Sequence, residues 1–316
     1  MEGTVIMNIA FLNLCHCDPN VVARVAKKLT AKENFYMFIH VDQKSDQSEF
    51  ETKLASCQRV FFTKKRYDVS WGSFSAIRAT LELMKEAVSS NVSFDRYVLL
   101  QNLDYPLKSN TQIEAFFTEY SDKEFIRACK IGQSKDRHFQ GKYKLYHDYE
   151  DKFYRSDKSV PKKLIHGVKK IVRSIPRLAF DGVIKEDGKK YPLYYGAAQW
   201  ALTDECVRYI LDFADSHPGF NAEMEHIQFP DEEYFHTIVH NSDFKYRCIK
   251  YDEPEKRWLV NWRNIHYFEY PAEITVFETK DFDKLIQKEE LFCRKVRTGV
   301  SDELMDLIDQ ACNENG

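Results

Sequence analysis

The sequence predicts an α/β fold built on a parallel β-sheet. In the first third of the 316-residue chain, short apolar runs alternate with amphipathic stretches, a pattern typical of strands joined by helices. Apolar residues make up 43% of the chain, which is enough to bury a large core. The chain has no internal repeat and no low-complexity tract, so neither a repeat fold nor a disordered chain is expected.

Four short apolar runs in this first third are predicted to be strands. They cover residues 9–14, 35–41, 60–63 and 97–100. In open α/β sheets ligands bind at the carboxyl ends of the strands, so Asp42 and residues 101–105 are expected beside a ligand. Neither a Gly-x-Gly-x-x-Gly motif nor a Walker phosphate loop is present, which argues against a dinucleotide oxidoreductase or a P-loop enzyme.

Helices are predicted where apolar residues recur every three or four positions. One begins at Asp18-Pro19, since proline suits the first turn of a helix, and a second covers residues 73–88. The apolar stripe of the first helix consists of Val21, Val22, Val25, Ala26 and Leu29. Further along, helices are predicted at residues 204–215 and 230–240, the second with acidic residues in its first turn.

Overall charge and cysteine spacing limit the function classes. The formal net charge is −3, from 46 basic and 49 acidic residues, so nucleic acid is not an expected partner. No apolar run reaches the ~20 residues that cross a bilayer, and residues 1–8 do not resemble a signal peptide, so a cytoplasmic protein is expected. The eight cysteines are scattered, which favours free thiols over a disulfide scaffold.

Three segments carry residue types that bind metals, and each has a simpler explanation. Residues 15–18 (CHCD) lack a second close Cys/His pair. His236 and His240 are four residues apart, but Thr237 stands where a zinc-protease helix carries glutamate. Residues 281–283 (DFD) form the only Asp-x-Asp sequence, and its context predicts the start of a helix. No metal site is therefore expected.

A basic stretch at residues 162–177 interleaves lysines and arginines with aliphatic residues. This pattern resembles an interfacial amphipathic helix, which would allow peripheral contact with an anionic membrane. A helix that covers the core with one face is an equal alternative, and Gly167 and Pro176 weaken a long helix. The expected location is accordingly the cytoplasm, up to the inner face of the cell membrane.

Six short segments, in the same order along the chain, resemble motifs of glycosyltransferase family 14. They are residues 10–19 (AFLNLCHCDP), 40–45 (HVDQKS), 69–73 (VSWGS), 102–107 (NLDYPL), 196–202 (GAAQWAL) and 230–242 (PDEEYFHTIVHNS). This family contains the core-2/I-branching N-acetylglucosaminyltransferases and the peptide O-xylosyltransferases. Without an anchor or a disulfide pattern, the chain looks like a bacterial member that takes part in surface-polysaccharide assembly.

The resemblance implies a GT-A-type fold that forms a single domain over residues 1–316. A Rossmann-like nucleotide-binding half, about residues 1–120, would be merged with an acceptor-binding and catalytic half, about residues 121–316. The implied reaction is an inverting, metal-independent transfer from a UDP-sugar to a hydroxyl of a glycan or lipid-linked saccharide, with a β-linkage as product. UDP-N-acetylglucosamine is the favoured donor and UDP-xylose the next. No cofactor is implied, because the UDP-sugar is a co-substrate.

The same resemblance implies roles for individual residues. Glu232 is the implied general base, with Glu233 as the alternative if the register is off by one. The implied donor-binding residues are Asp42, Trp71, Asp104, Arg294, Lys295 and Arg297, and the implied acceptor-binding residues are Trp200 and Asp231. From the residues alone, the carboxylates at 231–233 could equally stabilise a helix N-terminus, and the basic cluster could be a solvated face.

One position departs from the family pattern. The family often carries Arg or Lys after a proline upstream of its phosphate-binding lysine, whereas Ala272 follows Pro271 here. Arg257 and Arg263 could supply the second positive charge instead. A nucleotide-sugar hydrolase and a non-catalytic carbohydrate-binding homologue are therefore kept as alternative functions.

Overall fold

The computed structural model describes residues 6–133, 181–249 and 263–314. Its strands are β1 (Ile9–Cys15), β2 (Phe35–Val41), β3 (Val60–Phe62), β4 (Arg96–Gln101), β5 (Asp104–Pro106), β6 (Cys129–Lys130), β7 (Val183–Glu186), β8 (Lys189–Pro192), β9 (Tyr194–Tyr195), β10 (Ala201–Thr203), β11 (His266–Phe268) and β12 (Phe292–Arg294). Its α-helices are α1 (Pro19–Leu29), α2 (Gln47–Leu54), α3 (Ser75–Val88), α4 (Asn110–Glu119), α5 (Asp204–Ser216), α6 (Pro218–Met224), α7 (Tyr234–His240), α8 (Phe282–Ile286) and α9 (Asp302–Glu314). The amphipathic segment 162–177 and Arg257 lie outside the described residues.

A five-stranded sheet in the order β10-β4-β1-β2-β3 lies at the centre of the described fold. β1 to β4 are parallel, and β10 is added antiparallel to β4. This order of the parallel strands is that of a Rossmann-type half, and it confirms the predicted parallel α/β sheet. Cys15 of β1 is aligned with Val41 of β2, and Leu14 is aligned with Gln101 of β4, so three strands end side by side.

Side chains of β1 alternate between the two faces of the sheet and join separate hydrophobic clusters. Ile9 and Phe11 pack on one side with residues of α1, α4 and α9. Ala10 and Leu12 pack on the other side with residues of α3, α5 and α7. Burial of each Ile, Leu or Phe side chain contributes roughly 1.5–3 kcal/mol to the free energy of folding. Both faces of the sheet are therefore covered, which explains why its strands are continuous apolar runs.

The first helix forms as the sequence predicts. The Asp18 carboxylate accepts a hydrogen bond from the Val21 amide at 3.3 Å and so caps α1. All the residues of the predicted apolar stripe are buried. α9 packs beside α1 through Asp309, which accepts hydrogen bonds from Arg24 and Lys28 at 2.7 Å. These contacts attach α9 to the layer of helices that contains α1.

The predicted helix at residues 230–240 is wrong in its first turn. Pro230–Glu232 form a 3₁₀ turn, Glu233 leaves helical geometry with φ −126° and ψ −36°, and α7 begins one residue later. Phe229, before the turn, adopts a left-handed conformation with φ 57°. The Glu232 carbonyl accepts a hydrogen bond from the Gly196 amide at 2.9 Å. The chain therefore bends at the acidic residues instead of running straight into α7.

The structure also bears on the sequence predictions for the cysteines, for membrane-spanning helices and for the Asp-x-Asp sequence. All eight cysteines are free thiols, as predicted. Within the described part of the chain, no helix is both long enough and apolar enough to cross a membrane. The Asp-x-Asp sequence does mark a helix start, since Asp281 precedes α8 and its carboxylate accepts a hydrogen bond from Lys284 at 2.9 Å.

Candidate functional site

A pocket of about 430 Å³ opens at the carboxyl ends of β1, β2 and β4. Its lining includes five of the predicted site residues, namely Asp42, Trp71, Asp231, Glu232 and Arg294. The volume falls in the range of small-molecule sites. The position is where open α/β sheets bind their ligands, so the sequence and the fold place the candidate site at the same edge of the sheet.

Backbone hydrogen bonds fix the wall of the pocket that is formed by His16, Asp42 and Asn102, which we name the strand-end wall. The Asp42 amide donates to the Cys15 carbonyl at 2.8 Å, directly after β2 ends. The Asn102 carboxamide oxygen accepts hydrogen bonds from the His16 and Cys17 amides at 2.6 and 2.9 Å. Asp42 is 5% exposed and still lines the pocket. Its carboxylate is therefore held in place before any ligand arrives.

Lys44 joins this wall to the loop that carries Trp71. Its ammonium lies 3.1 Å from the Asp42 carboxylate and 2.5 Å from that of Asp68, and it donates to the Val69 carbonyl at 2.6 Å. Lys44 itself lines the pocket and is about half exposed. Among the described residues it is the only lysine in the lining, and the sequence motifs did not single it out.

Trp71 is an exposed aromatic ring at the pocket, with 83% of its surface accessible. It packs edge-on against Phe229, with ring centroids 4.5 Å apart. The adjacent Gly72 has φ +75°, and a Cβ there would lie 2.9 Å from the Phe229 ring. The Trp71 loop therefore depends on glycine and packs directly against the segment that leads into Glu232.

The bend at residues 229–233, which we name the glutamate turn, separates the two candidate bases. Glu232 is partly exposed and lines the pocket, whereas Glu233 is 0% exposed and does not line it. The Gly196 amide donates to the Glu232 carbonyl, and no larger residue fits at this position, since a Cβ there would lie 2.1 Å from the Arg127 carbonyl. The geometry therefore favours Glu232 as the carboxylate that can reach a ligand.

His236 and His240 support the fold around this turn. His236 Nε2 lies 3.0 Å from the Ala197 carbonyl, and His240 Nε2 lies 3.0 Å from the Ile126 carbonyl. Burial lowers the pKa of His236 to about 3, so the ring is neutral and must donate from Nε2. Among the described residues, no group of three or more His, Cys, Asp or Glu side chains could hold a metal ion.

Asp104 is not among the residues that line the pocket, and its predicted contact with a donor stays a prediction. It is 2% exposed, and its carboxylate lies 2.8 Å from Arg294 Nη1 and 3.1 Å from His266 Nε2. Burial alone would raise the pKa of Asp104, but the charges of Arg294 and His266 outweigh it and the net pKa is lowered. Asp104 therefore holds the guanidinium of Arg294, which does line the pocket.

This pair depends on a second, three-stranded sheet in the order β11-β12-β5. Arg294 of β12 is aligned with Asp104 of antiparallel β5. The guanidinium also donates to the Gln101 carbonyl at 3.2 Å, at the end of β4. Strand pairing in the small sheet therefore places the positive charge of Arg294 beside the strand-end wall.

Lys295 and Arg297 do not line the pocket, but the charge of Lys295 acts on His16, which does. Burial lowers the pKa of His16, Asp42 opposes this, and the charges of Arg294, Lys44 and Lys295 lower it further. The pKa of Lys295 is lowered by burial and then by the charges of Arg294 and Arg297. Several positive groups therefore act on one end of the pocket, which favours an anionic ligand there.

Trp200 is in the core and does not line the pocket, and its predicted contact with an acceptor stays a prediction. Its side chain is 0% exposed and packs against Phe235, with ring centroids 5.5 Å apart. Ala197, Ala198 and Gln199 from the same segment do line the pocket. The segment therefore borders the pocket, while its largest side chain is buried against Phe235 and stabilises the fold.

Gln101 was expected beside a ligand because it ends β4, whereas Gln199 and Lys44 were not singled out by reading the sequence. Gln101 and Gln199 line the pocket and are joined by a hydrogen bond of 3.0 Å. Lys44 lies inside a recognised segment, so that segment was the available signal. Arg263, one proposed substitute for the missing cation at Ala272, instead packs its guanidinium over Tyr267 at 4.7 Å and does not line the pocket.

Comparison with known proteins agrees with these motifs. The family model of the Core-2/I-branching enzymes matches residues 9–286. Xylosyltransferase 2 of Rattus norvegicus is 23% identical over 323 residues, which cover 96% of this chain and 33% of that protein. Xylosyltransferase 2 of Homo sapiens is 23% identical, with 98% and 34% covered. Xylosyltransferase oxt of Drosophila melanogaster is 23% identical over 256 residues, with 77% and 25% covered.

The chain thus spans about a third or less of the length of these curated relatives. The family match, by contrast, extends over most of the chain and includes the strand-end wall and the glutamate turn. The chain belongs to the Core-2/I-branching enzyme family of glycosyltransferases.

Proposed function

We propose that the pocket binds a UDP-sugar and that the chain transfers the sugar, with inversion and without a metal ion, to a hydroxyl of a glycan or lipid-linked saccharide. The fold around this reaction would be of the GT-A type. One observation carries the proposal. A single pocket contains the partly exposed carboxylate of Glu232, the strand-end carboxylate of Asp42 and the guanidinium of Arg294.

Each of these groups suits one part of the donor. The Asp42 carboxylate can accept hydrogen bonds from the uracil N–H or from ribose hydroxyls. The exposed ring of Trp71 can stack on the uracil or on a sugar face. Arg294, Lys44 and Lys295 bring positive charge to the same end of the pocket, where they can stabilise the diphosphate.

The reaction would be a single in-line displacement. The acceptor oxygen bonds to the anomeric carbon while Glu232 takes its proton, and the bond from that carbon to the β-phosphate oxygen breaks. UDP leaves with the electron pair, and the basic side chains stabilise its charge. A glutamate is ionised at neutral pH, since its ordinary pKa is about 4.3, and is ready to accept the proton.

The two donors to test first are UDP-xylose and UDP-N-acetylglucosamine. The relatives above are named xylosyltransferases, which supports xylose. The family description refers to branching enzymes, which supports N-acetylglucosamine. Asp231 lines the pocket next to Glu232 and is proposed to contact the acceptor.

The test is UDP release from a panel of UDP-sugars, with and without a mixed panel of saccharide acceptors, in excess EDTA. We expect release that needs both a donor and an acceptor and that is unchanged by the chelator. Release without any acceptor would instead indicate a hydrolase. Binding of UDP without any release would indicate a non-catalytic homologue, and activity restored only by Mn²⁺ or Mg²⁺ would contradict the metal-free mechanism.

A further inference from the structure

A second cavity, of about 630 Å³, lies against α1 and shares no lining residue with the pocket. Residues from α1, α2 and α9 line it, and we name it the α1 groove. They are Asn20, Ala23, Arg24, Lys27, Lys28, Lys53 and Asp309. Four of these side chains are cations and one is an anion. The proposed reaction uses none of them.

The cations beside α9 are held in fixed positions. The Asp309 carboxylate accepts hydrogen bonds from Arg24 Nε at 3.0 Å, from Arg24 Nη2 at 2.7 Å and from Lys28 at 2.7 Å. The Tyr105 hydroxyl donates to the same carboxylate at 2.7 Å. Burial alone would raise the pKa of Asp309, but the charge of Lys28 and these hydrogen bonds outweigh it, and the net pKa is lowered. Asp309 therefore stays ionised, and its one charge is shared between two cations.

Positive charge remains in the groove after these contacts are counted. Arg24 Nη2 also lies 2.7 Å from Asp306, a carboxylate that does not line the groove and has a 71% exposed side chain. None of the hydrogen bonds of Arg24 uses its Nη1. Within the part of the chain that the structure describes, Lys27 and Lys53 have neither a hydrogen bond nor an ion pair. The four cations thus outnumber by two the carboxylates that contact them.

The shape and the donors of the α1 groove suit a compact, multiply charged anion. The side chains of Arg24 and Lys28 are 28% and 14% exposed, so they are set back from the surface, whereas Lys27 and Lys53 are exposed at the opening. Phosphate groups accept several charge-assisted hydrogen bonds from arginine and lysine at once. A phosphate that enters the groove can therefore neutralise charges on both α1 and α2.

We propose that the α1 groove is a second binding site, which takes the phosphate groups of a diphosphate or of a phosphate monoester. Lys27 of α1 and Lys53 of α2 donate to the phosphate oxygens, together with the unused Nη1 of Arg24. The same donors serve a soluble phosphate compound and a lipid headgroup, and the test separates these two sources. The site does not depend on the proposed reaction, because the groove and the pocket share no residue.

The first arm of the test is calorimetry with inorganic pyrophosphate, with saturating UDP present to occupy the pocket. We expect saturable binding with a Kd of about 1 mM or tighter, which weakens as salt is added. The double variant Lys27→Gln/Lys53→Gln should raise this Kd about 10-fold or more, because it loses two charged donors. Lys27→Arg/Lys53→Arg keeps the charges and should keep the binding. Lys189→Gln/Lys190→Gln is the matched control, since both lysines are exposed on β8 and line neither cavity, and it should bind like the parent.

The second arm is co-sedimentation with vesicles that contain phosphatidylglycerol. Sedimentation that falls in Lys27→Gln/Lys53→Gln and is competed by pyrophosphate supports the site with a lipid headgroup as its ligand. Pyrophosphate binding without such a fall supports the site with a soluble phosphate compound. The basic segment 162–177 is unchanged in every variant, so its contribution cancels in the comparison.

Three results would overturn the proposal. They are no saturable binding of pyrophosphate, equal binding by the parent and by Lys27→Gln/Lys53→Gln, and equal losses in that variant and in the Lys189→Gln/Lys190→Gln control. The last result would mean that pyrophosphate responds only to overall charge. Thermal unfolding midpoints check the fold of each variant, because Lys27 lies in the last turn of α1 and its charge stabilises that end of the helix.

Discussion

The strand-end wall and the glutamate turn border the same pocket but are built in different ways. The wall consists of residues that directly follow β1, β2 and β4, and backbone hydrogen bonds such as that from the Asp42 amide to the Cys15 carbonyl hold it. The turn has irregular backbone, with a left-handed Phe229 and a non-helical Glu233. The turn is held by a hydrogen bond from the amide of Gly196, a residue far from it in the sequence, to the Glu232 carbonyl.

Because they are built differently, we expect the strand-end wall and the glutamate turn to have different roles. Regular structure places Asp42 rigidly, which suits recognition of a nucleotide. Irregular structure held by tertiary contacts places Glu232, which suits a group whose orientation decides the chemical step. Substitutions in the wall should therefore change donor affinity, and substitutions in the turn should change turnover.

The largest expected effect is that of Glu232→Gln. This change keeps the shape of the side chain and removes the base, so kcat should fall by roughly 10²-fold or more. The Kd for UDP should change little, because the wall and Arg294 remain. Steady-state kinetics together with calorimetry of UDP binding measure the two quantities separately.

Glu233→Gln is the matched control for this variant. Glu233 is fully buried, so its replacement should alter the thermal unfolding midpoint more than kcat. If turnover is lost in Glu233→Gln and kept in Glu232→Gln, the base is one residue further along. If both variants stay active, neither glutamate is the base.

A smaller effect is expected for Asp42→Asn in the strand-end wall. The variant loses a charged hydrogen-bond acceptor, so the Kd for UDP should rise about 10-fold or more, while kcat at saturating donor should change less. Asp68→Asn is the control, because Asp68 also contacts Lys44 but does not line the pocket. It should change the Kd by less than about twofold, as expected for an exposed ion pair. Equal effects in both variants would mean that Lys44, not Asp42, carries donor binding.

Patterns within short stretches of the sequence were enough to predict several strands and helices of the fold. The stripe of α1 and the run of β2 are encoded in neighbouring residues, and the strand end placed Asp42 correctly. The helix at 204–215 was also predicted, and in the structure Thr203 caps it and its apolar residues recur at helical spacing.

Features that depend on distant residues could not be predicted in this way. Asp104 is aligned with Arg294 only through the pairing of β5 with β12, so its burial was invisible from the motif. Trp200 was expected to contact an acceptor because of its segment, yet its side chain packs into the core. The break at Glu233 depends on Gly196, which lies far away in the chain.

The central claim is a single displacement at the anomeric carbon, with Glu232 as base. Proton NMR of the purified product tests it most directly, because the coupling of the anomeric proton reports the configuration of the new bond. From an α-linked UDP-sugar the account predicts a β-linked product. An α-linked product would contradict single displacement, whatever the kinetics of the variants show.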